Sequence, residues 1–509
     1  MKSSKFIAII ALIVAMMMCM SSAMACTTIY VGSELTADGS TMFARSEDIS
    51  NSYNKVFYVS PAGLYKAGEE YVGCYGFVYT WEKDSYSFTT FADDNFLGIC
   101  PDCGGEHAHN PYGAGGTNEM GVSISATETI GCSDALYEAD PYVDTGIEEA
   151  EIVTVVLSQA ATAKEAVELL LGIYDTYGCC GGSGLIIADN NETWYIENTT
   201  GTQYIALKMT ESMVMAQPNM SIIGLIDLDD TENVIASAGI IETAKAAGTY
   251  VGDEAANTID YVASYNADQG ANGRMVDALK YFNAATATEE PDAADYTISN
   301  VDAEGNIVPM YTNITLDHAY EIADVVGYYD IGSIGYNRNL ETHIFQTYAE
   351  DGMKDTAMWV AMDNASLSPF VPFYPMLTAD TYAGYQVGTA EAAFTEEEPV
   401  DADVYYATTK NVWTEEGRVA VDGYVALPAN WAESYYWAFD ALSNLYEFGG
   451  LSDEQKATID AGIADMQAQC YEAYAELQNA ADASAATQIS NDCAAAMHAA
   501  AVELVNAVK

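Results

Sequence analysis

Residues 1–25 are laid out as a secretory leader: Lys2 and Lys5, an apolar run from Phe6 to about Met20, then Ala23-Met24-Ala25 with the small residues an A-x-A cleavage site needs. Cleavage after Ala25 would make Cys26 the first residue of the folded chain. No other feature constrains the chain as much. A cysteine released this way carries a nucleophilic thiol and a free α-amine on one carbon, and the fold must deliver both to one place. Two other fates remain open. Cys26 can begin a strand and enter a disulfide, or it can be acylated as a lipoprotein anchor, although Ala23 at the minus-three position suits ordinary signal peptidase better than a lipobox with Leu there.

The stretch after Cys26 reads as a β-hairpin. Cys26-Thr-Thr-Ile-Tyr-Val-Gly32 is rich in β-formers, Ala37-Asp38-Gly39 is a turn signal, and Ser40-Thr-Met-Phe-Ala-Arg45 returns as a strand. A turn centred near residue 36 sets Cys26 opposite residue 46; one centred between Asp38 and Gly39 sets it opposite residue 51. Either register brings Arg45 and Asp48 into its neighbourhood. A thiol of pKa about 8.5 is mostly protonated at neutral pH, and an α-amine of about 7.7–8.0 is matched to accept its proton. A guanidinium nearby favours the thiolate, and a carboxylate would hold and orient the ammonium. The plainer reading of Arg45 and Asp48 is a surface ion pair at a strand end.

Several motifs along the chain resemble those of one family. Cys26-Thr-Thr-Ile-Tyr-Val-Gly, Asp38-Gly39-Ser40-Thr41 and Ala44-Arg45-Ser46-Glu47-Asp48 are followed by Ala114-Gly-Gly-Thr-Asn118-Glu119-Met-Gly121-Val, which runs on through Ser123 to Thr129. Thr193-Trp-Tyr-Ile-Glu197, Gln217-Pro218-Asn219, Arg338 with Glu341 to Gln346, Trp359, and Pro369 to Pro375 come later. Together they resemble the cysteine dipeptidases of the N-terminal-nucleophile (Ntn) hydrolases, a group that includes dipeptidase A and the secernins, with bile-salt hydrolases and penicillin V acylases as more distant relatives. The resemblance implies an α+β fold, the four-layer αββα Ntn-hydrolase sandwich, with neither metal nor organic cofactor. It also implies that Cys26 attacks the peptide carbonyl with its own amine shuttling the proton, that Asp48 binds that amine and Arg45 the thiolate, and that Asn118 and Asn219 line the oxyanion hole. Read as residues alone, both asparagines also suit turns, and Asn219 opens an Asn-Met-Ser sequon.

Composition limits the partners. The chain has 17 basic and 75 acidic residues, a formal charge of −58, so nucleic acid would be repelled rather than bound. Beyond about Pro428 no apolar stretch is long or uninterrupted enough to span a membrane. The implied partners are small peptides, without nucleic acid or stable membrane insertion; homo-oligomer formation stays open.

Of ten cysteines, removing Cys19 with the leader and reserving Cys26 leaves Cys74, Cys100, Cys103, Cys132, Cys179, Cys180, Cys470 and Cys493. An even remainder in an exported chain favours disulfides, with Cys470 and Cys493, on successive helical segments, the easiest pair. Cys100, Cys103, His107 and His109 have metal-compatible spacing, but export and the even count favour a disulfide loop there. His318, His343 and His498 sit in no nucleophile motif.

Strand and helix signals come in blocks, which argues against a doubly wound sheet. Thr162-Ala-Lys-Glu165 is a capping box opening a helix to about Tyr174, and residues 185–189 and 193–197 flank an Asn-Asn-Glu turn as a hairpin. From about Pro428 the chain becomes Ala-rich helix, with Ser452-Asp-Glu-Gln455 as a cap. The expected organisation is a leader at 1–25, a catalytic domain at 26–427 and a C-terminal helical region at 428–509. The function this implies is an exported cysteine peptidase acting on dipeptides or short peptides through a thioester. Two alternatives are an amidase of the penicillin V acylase type acting on non-peptide amides, and a lipid-anchored binding protein without catalysis.

Overall fold

The computed structural model describes residues 26–48, 54–73, 76–93, 112–266, 271–283, 287–349, 352–388, 392–414 and 417–509. The leader and the Cys100–His109 cluster therefore lie outside the described residues.

The first two strands, β1 (Thr27–Val31) and β2 (Thr41–Asp48), form the expected hairpin. Their turn is closed by Thr36, whose hydroxyl donates to the Ser40 carbonyl at 2.6 Å, and by Gly39 at φ 76°, a conformation that favours glycine. Thr27 pairs with Ser46 and Thr28 with Arg45. Continuing that register puts Cys26 opposite Glu47, one residue from the nearer of the two expected positions.

The chain then builds a second sheet from β3 (Lys55–Ser60), β4 (Phe88–Asp93), β5 (Gly113–Asn118) and β6 (Ser123–Thr129). Two helices follow, α1 (Glu149–Gln159) and α2 (Ala163–Tyr177), and the sheet resumes with β7 (Ser183–Ala188), β8 (Thr193–Asn198) and β9 (Tyr204–Lys208). Helix α2 starts at the expected cap, the Thr162 hydroxyl accepting from Glu165 N at 3.1 Å, but the reciprocal half of the capping box is replaced by Ala161 N donating to Glu165 Oε2 at 2.9 Å. Strand β10 (Val214–Gln217) returns to the first sheet beside β1, and β11 (Val234–Ala236) closes the second beside β9. After α3 (Gly273–Tyr281), strands β12 (Asn339–Thr347), β13 (Thr356–Met362) and β14 (Val371–Phe373) complete the first sheet. A hairpin, β15 (Tyr405–Thr414) and β16 (Gly417–Ala426), leads to α4 (Tyr435–Phe448), α5 (Asp453–Leu477) and α6 (Ala483–Val508).

Among the described residues the sheets have the orders β10-β1-β2-β12-β13-β14 and β11-β9-β8-β7-β6-β5-β4-β3. Neighbouring strands within both are antiparallel. The architecture is thus α+β and not doubly wound. Every residue of β12 and β13 is buried, because the first sheet is covered on both faces. On its inner face Phe57 and Phe91 of the second sheet stack at 4.8 Å, and Phe57 meets Phe373 edge-on at 5.1 Å. On its outer face Trp359 packs against Tyr471 and Tyr474 of α5. Each such ring, fully buried, contributes about 1.5–3 kcal/mol. Helices α1 and α2 cover the outer face of the second sheet through Val153, Leu157, Val167 and Leu170. Four layers result, helix, sheet, sheet, helix, with the C-terminal helices forming part of the outer layer.

Cys132, Cys179, Cys180, Cys470 and Cys493 are free thiols in this structure. The sulfurs of Cys470 and Cys493 face each other across α5 and α6 at 3.7 Å.

Candidate active site

Directly opposed residues of an antiparallel pair share a face. The register therefore points Cys26, Thr28, Arg45 and Glu47 toward the second sheet. Arg45 extends into the gap, 1% exposed. Its Nη2 donates to Cys26 Sγ at 3.2 Å, and its Nη1 to the Ala126 and Ala114 carbonyls at 2.8 and 3.4 Å. The surface ion pair is thereby excluded: both Arg45 and Asp48 are buried.

Asp48 lies at the end of β2, where Asn339 Nδ2 donates to its Oδ1 at 2.5 Å. Its Oδ2 is buried with no hydrogen-bond partner among the described residues. Burial pushes its pKa up to about 7 despite the opposing pull of Arg274, Asn339, Ser46 and Arg45. A cation delivered to Oδ2 would restore the ionised form.

Arg274 is a residue the sequence reading missed. It lies in the first turn of α3, whose N-cap Asn272 accepts from Met275 N at 3.1 Å and donates to the Pro218 carbonyl at 2.5 Å. Docked there, Arg274 donates from Nη1 to the Cys26 carbonyl and, at 2.8 Å, to Thr27 Oγ1; its Nη2 reaches Asn219 Oδ1 at 2.9 Å. A guanidinium only donates, so this contact fixes which end of the Asn219 amide is oxygen. Its Nδ2 then points to the Thr129 carbonyl at 3.1 Å. Asn219 holds φ at 46°, which asparagine tolerates. Glu197 on β8 anchors the following segment, accepting from Ile222 N at 2.8 Å, from Tyr195 at 2.6 Å and from the Ser221 hydroxyl. The available signal for Arg274 was rarity: the chain has four arginines, Arg45, Arg274, Arg338 and Arg418, and two of them touch Cys26.

Asn118 is elsewhere. Its Nδ2 donates to the Leu157 and Ala160 carbonyls at 2.9 and 2.7 Å, and its Oδ1 accepts from Met120 N and Val122 N, both at 3.0 Å. It ties the end of α1 to the β5–β6 turn on the outer side of the sheet. Both amide hydrogens are thus committed within the turn and cap, so the structure does not bring the Asn118 side chain to Cys26, and its place in the oxyanion hole stays an expectation.

Three further buried groups border the site. Lys55, 0% exposed at its side chain, bridges Glu47 at 2.7 Å and Asp93 at 2.5 Å, which offsets the cost of burying its charge. His343 and Glu341 lie on β12 beside β2. Among the described residues no group of three or more His, Cys, Asp or Glu has the arrangement to hold a metal ion, and no helix is long and apolar enough to cross a membrane.

The αββα sandwich is the fold of the Ntn hydrolases, and here it sets a guanidinium on the thiol just ahead of the first strand and a buried carboxylate at the end of the second. The chain belongs to peptidase family C69, whose family model matches residues 25–409. It is 30% identical over 386 residues to "Probable dipeptidase B" of Streptococcus pyogenes serotype M18 (strain MGAS8232), covering 71% of this chain and 74% of that one. It is 32% identical over 250 residues to "Probable dipeptidase" of Salmonella dublin, covering 49% and 55%. Among solved structures, penicillin V acylase from Agrobacterium tumefaciens aligns at a TM-score of 0.32 and 14% identity, covering 68% of this chain and 85% of that one. The protein is a peptidase.

Proposed function

We propose that this peptidase hydrolyses dipeptides or short peptides, with Cys26 as nucleophile once residues 1–25 are removed. The observation that carries this reading is the double hold on one residue: Arg45 on the Cys26 thiol, Arg274 on its carbonyl. Such a hold fixes both ends of a nucleophile whose own amine is the base. The α-amine takes the thiol proton and becomes an ammonium held by Asp48, while Arg45 stabilises the thiolate. Sulfur attacks the peptide carbonyl, and the oxyanion forms beside the Asn219 amide, which Arg274 orients. The ammonium returns its proton to the leaving amine and a thioester remains. Water, deprotonated by the same amine, attacks the thioester, releasing the carboxylic acid and restoring the thiol. The relatives' names, probable dipeptidases, favour dipeptides as substrates.

Export belongs to the same reading. The leader layout of residues 1–25 and the strongly acidic composition support it, and the facing thiols of Cys470 and Cys493 suit closure in an oxidising compartment. The test uses the mature form, with its N-terminus verified by intact mass, on a panel of dipeptides, longer peptides and acyl-amides. Hydrolysis of dipeptides is expected, with loss of activity when even a few residues precede Cys26, because the base is then an amide. Preference for acyl-amides transfers the reading to a penicillin-acylase-like amidase. A mass increment of acyl chains at Cys26 with no hydrolysis transfers it to a lipid-anchored binding protein.

A further inference from the structure

Behind Arg45, on the side away from Cys26, runs a second line of polar groups. Glu341 Oε1 lies 4.0 Å from Arg45 Nη1. Both Glu341 oxygens face His343 Nδ1, at 2.9 and 3.1 Å, and His343 Nε2 lies 2.8 Å from Ser125 Oγ. The register makes this line: His343 pairs directly with Arg45 across β2 and β12, and Glu341, two residues earlier, shares its face.

Serine, histidine and carboxylate in this order are the parts of an acyl-transfer triad. Here no substrate reaches them, since Ser125 is 2% exposed and His343 and Glu341 are 0% exposed. The imidazole is clamped as well: it stacks on Phe91 at 5.2 Å with rings 3° apart, meets Phe345 at 5.2 Å, and has Gly115 where any Cβ would come within 2.9 Å of its Cε1. The line ends on the cation that touches the thiol.

We propose that Glu341, His343 and Ser125 are positioning residues for Arg45, an inference that rests on Cys26 being the nucleophile. His343 holds the Glu341 carboxylate back at 4.0 Å, short of direct contact with the guanidinium. Arg45 therefore keeps its hydrogen bond to Cys26 Sγ, and Glu341 offsets part of its charge. The offset has a use, because a thiolate loses nucleophilicity as its pKa falls. An unopposed arginine would make the thiol more acidic and less reactive. The other charged or titratable groups near this corner are Arg274 from α3, Asp48 and Glu47 from β2, Lys55 from β3 with Asp93 from β4, Glu149 at the start of α1, Arg338 just ahead of β12, the phenols of Tyr112 and Tyr336, and the Cys26 α-amine itself. All of these stay in place in the variants below.

The experiment is the pH dependence of Cys26 alkylation in the mature protein, with kcat measured alongside. Glu341→Gln removes the opposing charge, so the alkylation midpoint should fall by about one pH unit while the plateau rate and kcat drop. His343→Phe keeps the packing but frees the carboxylate to close on Arg45 and draw it from sulfur, so the midpoint should rise. His343→Asn, which restores a donor toward Glu341, should recover part of that rise. A merely structural role would lower the melting temperature of all three without moving the midpoints in opposite directions. Wild-type midpoints, or shifts of one sign in both Glu341→Gln and His343→Phe, overturn the proposal. If either variant fails to fold, Ser125→Ala, which removes only the terminal hydrogen bond, should still raise the midpoint, and an unchanged value there overturns it equally. Alkylation is read on Cys26 itself, so wild-type protein that hydrolyses no dipeptide would count against the substrate reading alone.

Discussion

At Cys26 two arginines act on different atoms, Asp48 is proposed to act on a third, and their substitutions should separate. Arg45→Ala removes positive charge from the thiol, so alkylation should shift to higher pH by about one unit. Asp48→Asn leaves the thiol's cation in place but removes the group proposed to hold the ammonium, so turnover should fall with the fold retained, as read by circular dichroism. Arg274→Ala frees both the Cys26 carbonyl and the Asn219 amide; losing an oriented oxyanion donor costs about 10²–10³-fold in kcat. That variant should show such a loss with a smaller change in the alkylation midpoint than Arg45→Ala. If Arg45→Ala and Asp48→Asn both hydrolyse dipeptides like wild type, the proposed site is wrong. Asn118 gives the opposite pattern. Asn118→Ala strands two carbonyls and two backbone N–H groups, which should cost about 1–3 kcal/mol of stability by denaturant titration while kcat stays near wild type. The Asn-Glu-x-Gly motif was visible, but strand parity decided which layer its asparagine faces.

Local elements were the most legible part of the chain. The Thr162 and Ser452 caps each depend on residues three apart, and both form, Ser452 and Gln455 as a complete capping box. The hairpin of β7 and β8 likewise follows from alternation and one turn. The long hairpin of β15 and β16 escaped the sequence reading. Between α5 and α6, oxidation should join Cys470 to Cys493, detected as a loss of two hydrogens by intact mass and reversed by reductant. The sulfurs need to move from 3.7 Å to bonding distance. Closing a loop of this length contributes about 3 kcal/mol, and the oxidised form should unfold at correspondingly higher denaturant.

The whole molecule combines a formal charge of −58 with carboxyl groups sealed inside it. Burial pushes Glu197 up to about 7 from 4.5, and Asp363, which accepts from Ser443 and lies near Asp440 of α4, up to about 7 from 3.8. Burial also drives Asp440 upward. At these carboxyl groups the native state thus binds more protons between pH 4 and 7 than the unfolded chain does. The stabilisation from these raised groups is complete below their unfolded values and is lost as pH rises through about 7. Melting temperature should therefore fall from pH 5 to pH 8 at constant salt. At pH 8 it should recover with added salt, since the Debye length shrinks from about 10 Å at 0.1 M to about 3 Å at 1 M and surface repulsion is screened. A melting temperature rising with pH over this window would refute the assignment. The effect is read by scanning fluorimetry on the mature protein.

Cys26, Arg45 and Asp48 could be grouped from the sequence because one short turn joins them, and pairing across a tight hairpin follows from counting residues. The same reasoning reached the caps, the blocks of strand and helix, and, through motifs spread from Cys26 to beyond Trp359, the layered fold. Arg274, Asn339, Glu341, His343 and Ser125 come from a helix, a strand end and two facing sheets. They lie from 77 to 317 positions after Asp48 or Cys26 in the chain, and nothing local ties any of them to the thiol. Their juxtaposition exists only once sheet packs on sheet and α3 docks on the Pro218-Asn219 turn. Hydrophobic pattern and turn chemistry act over a few residues, whereas the placement of a buried charge is settled by the partners that can satisfy it, and those partners are supplied by the tertiary fold.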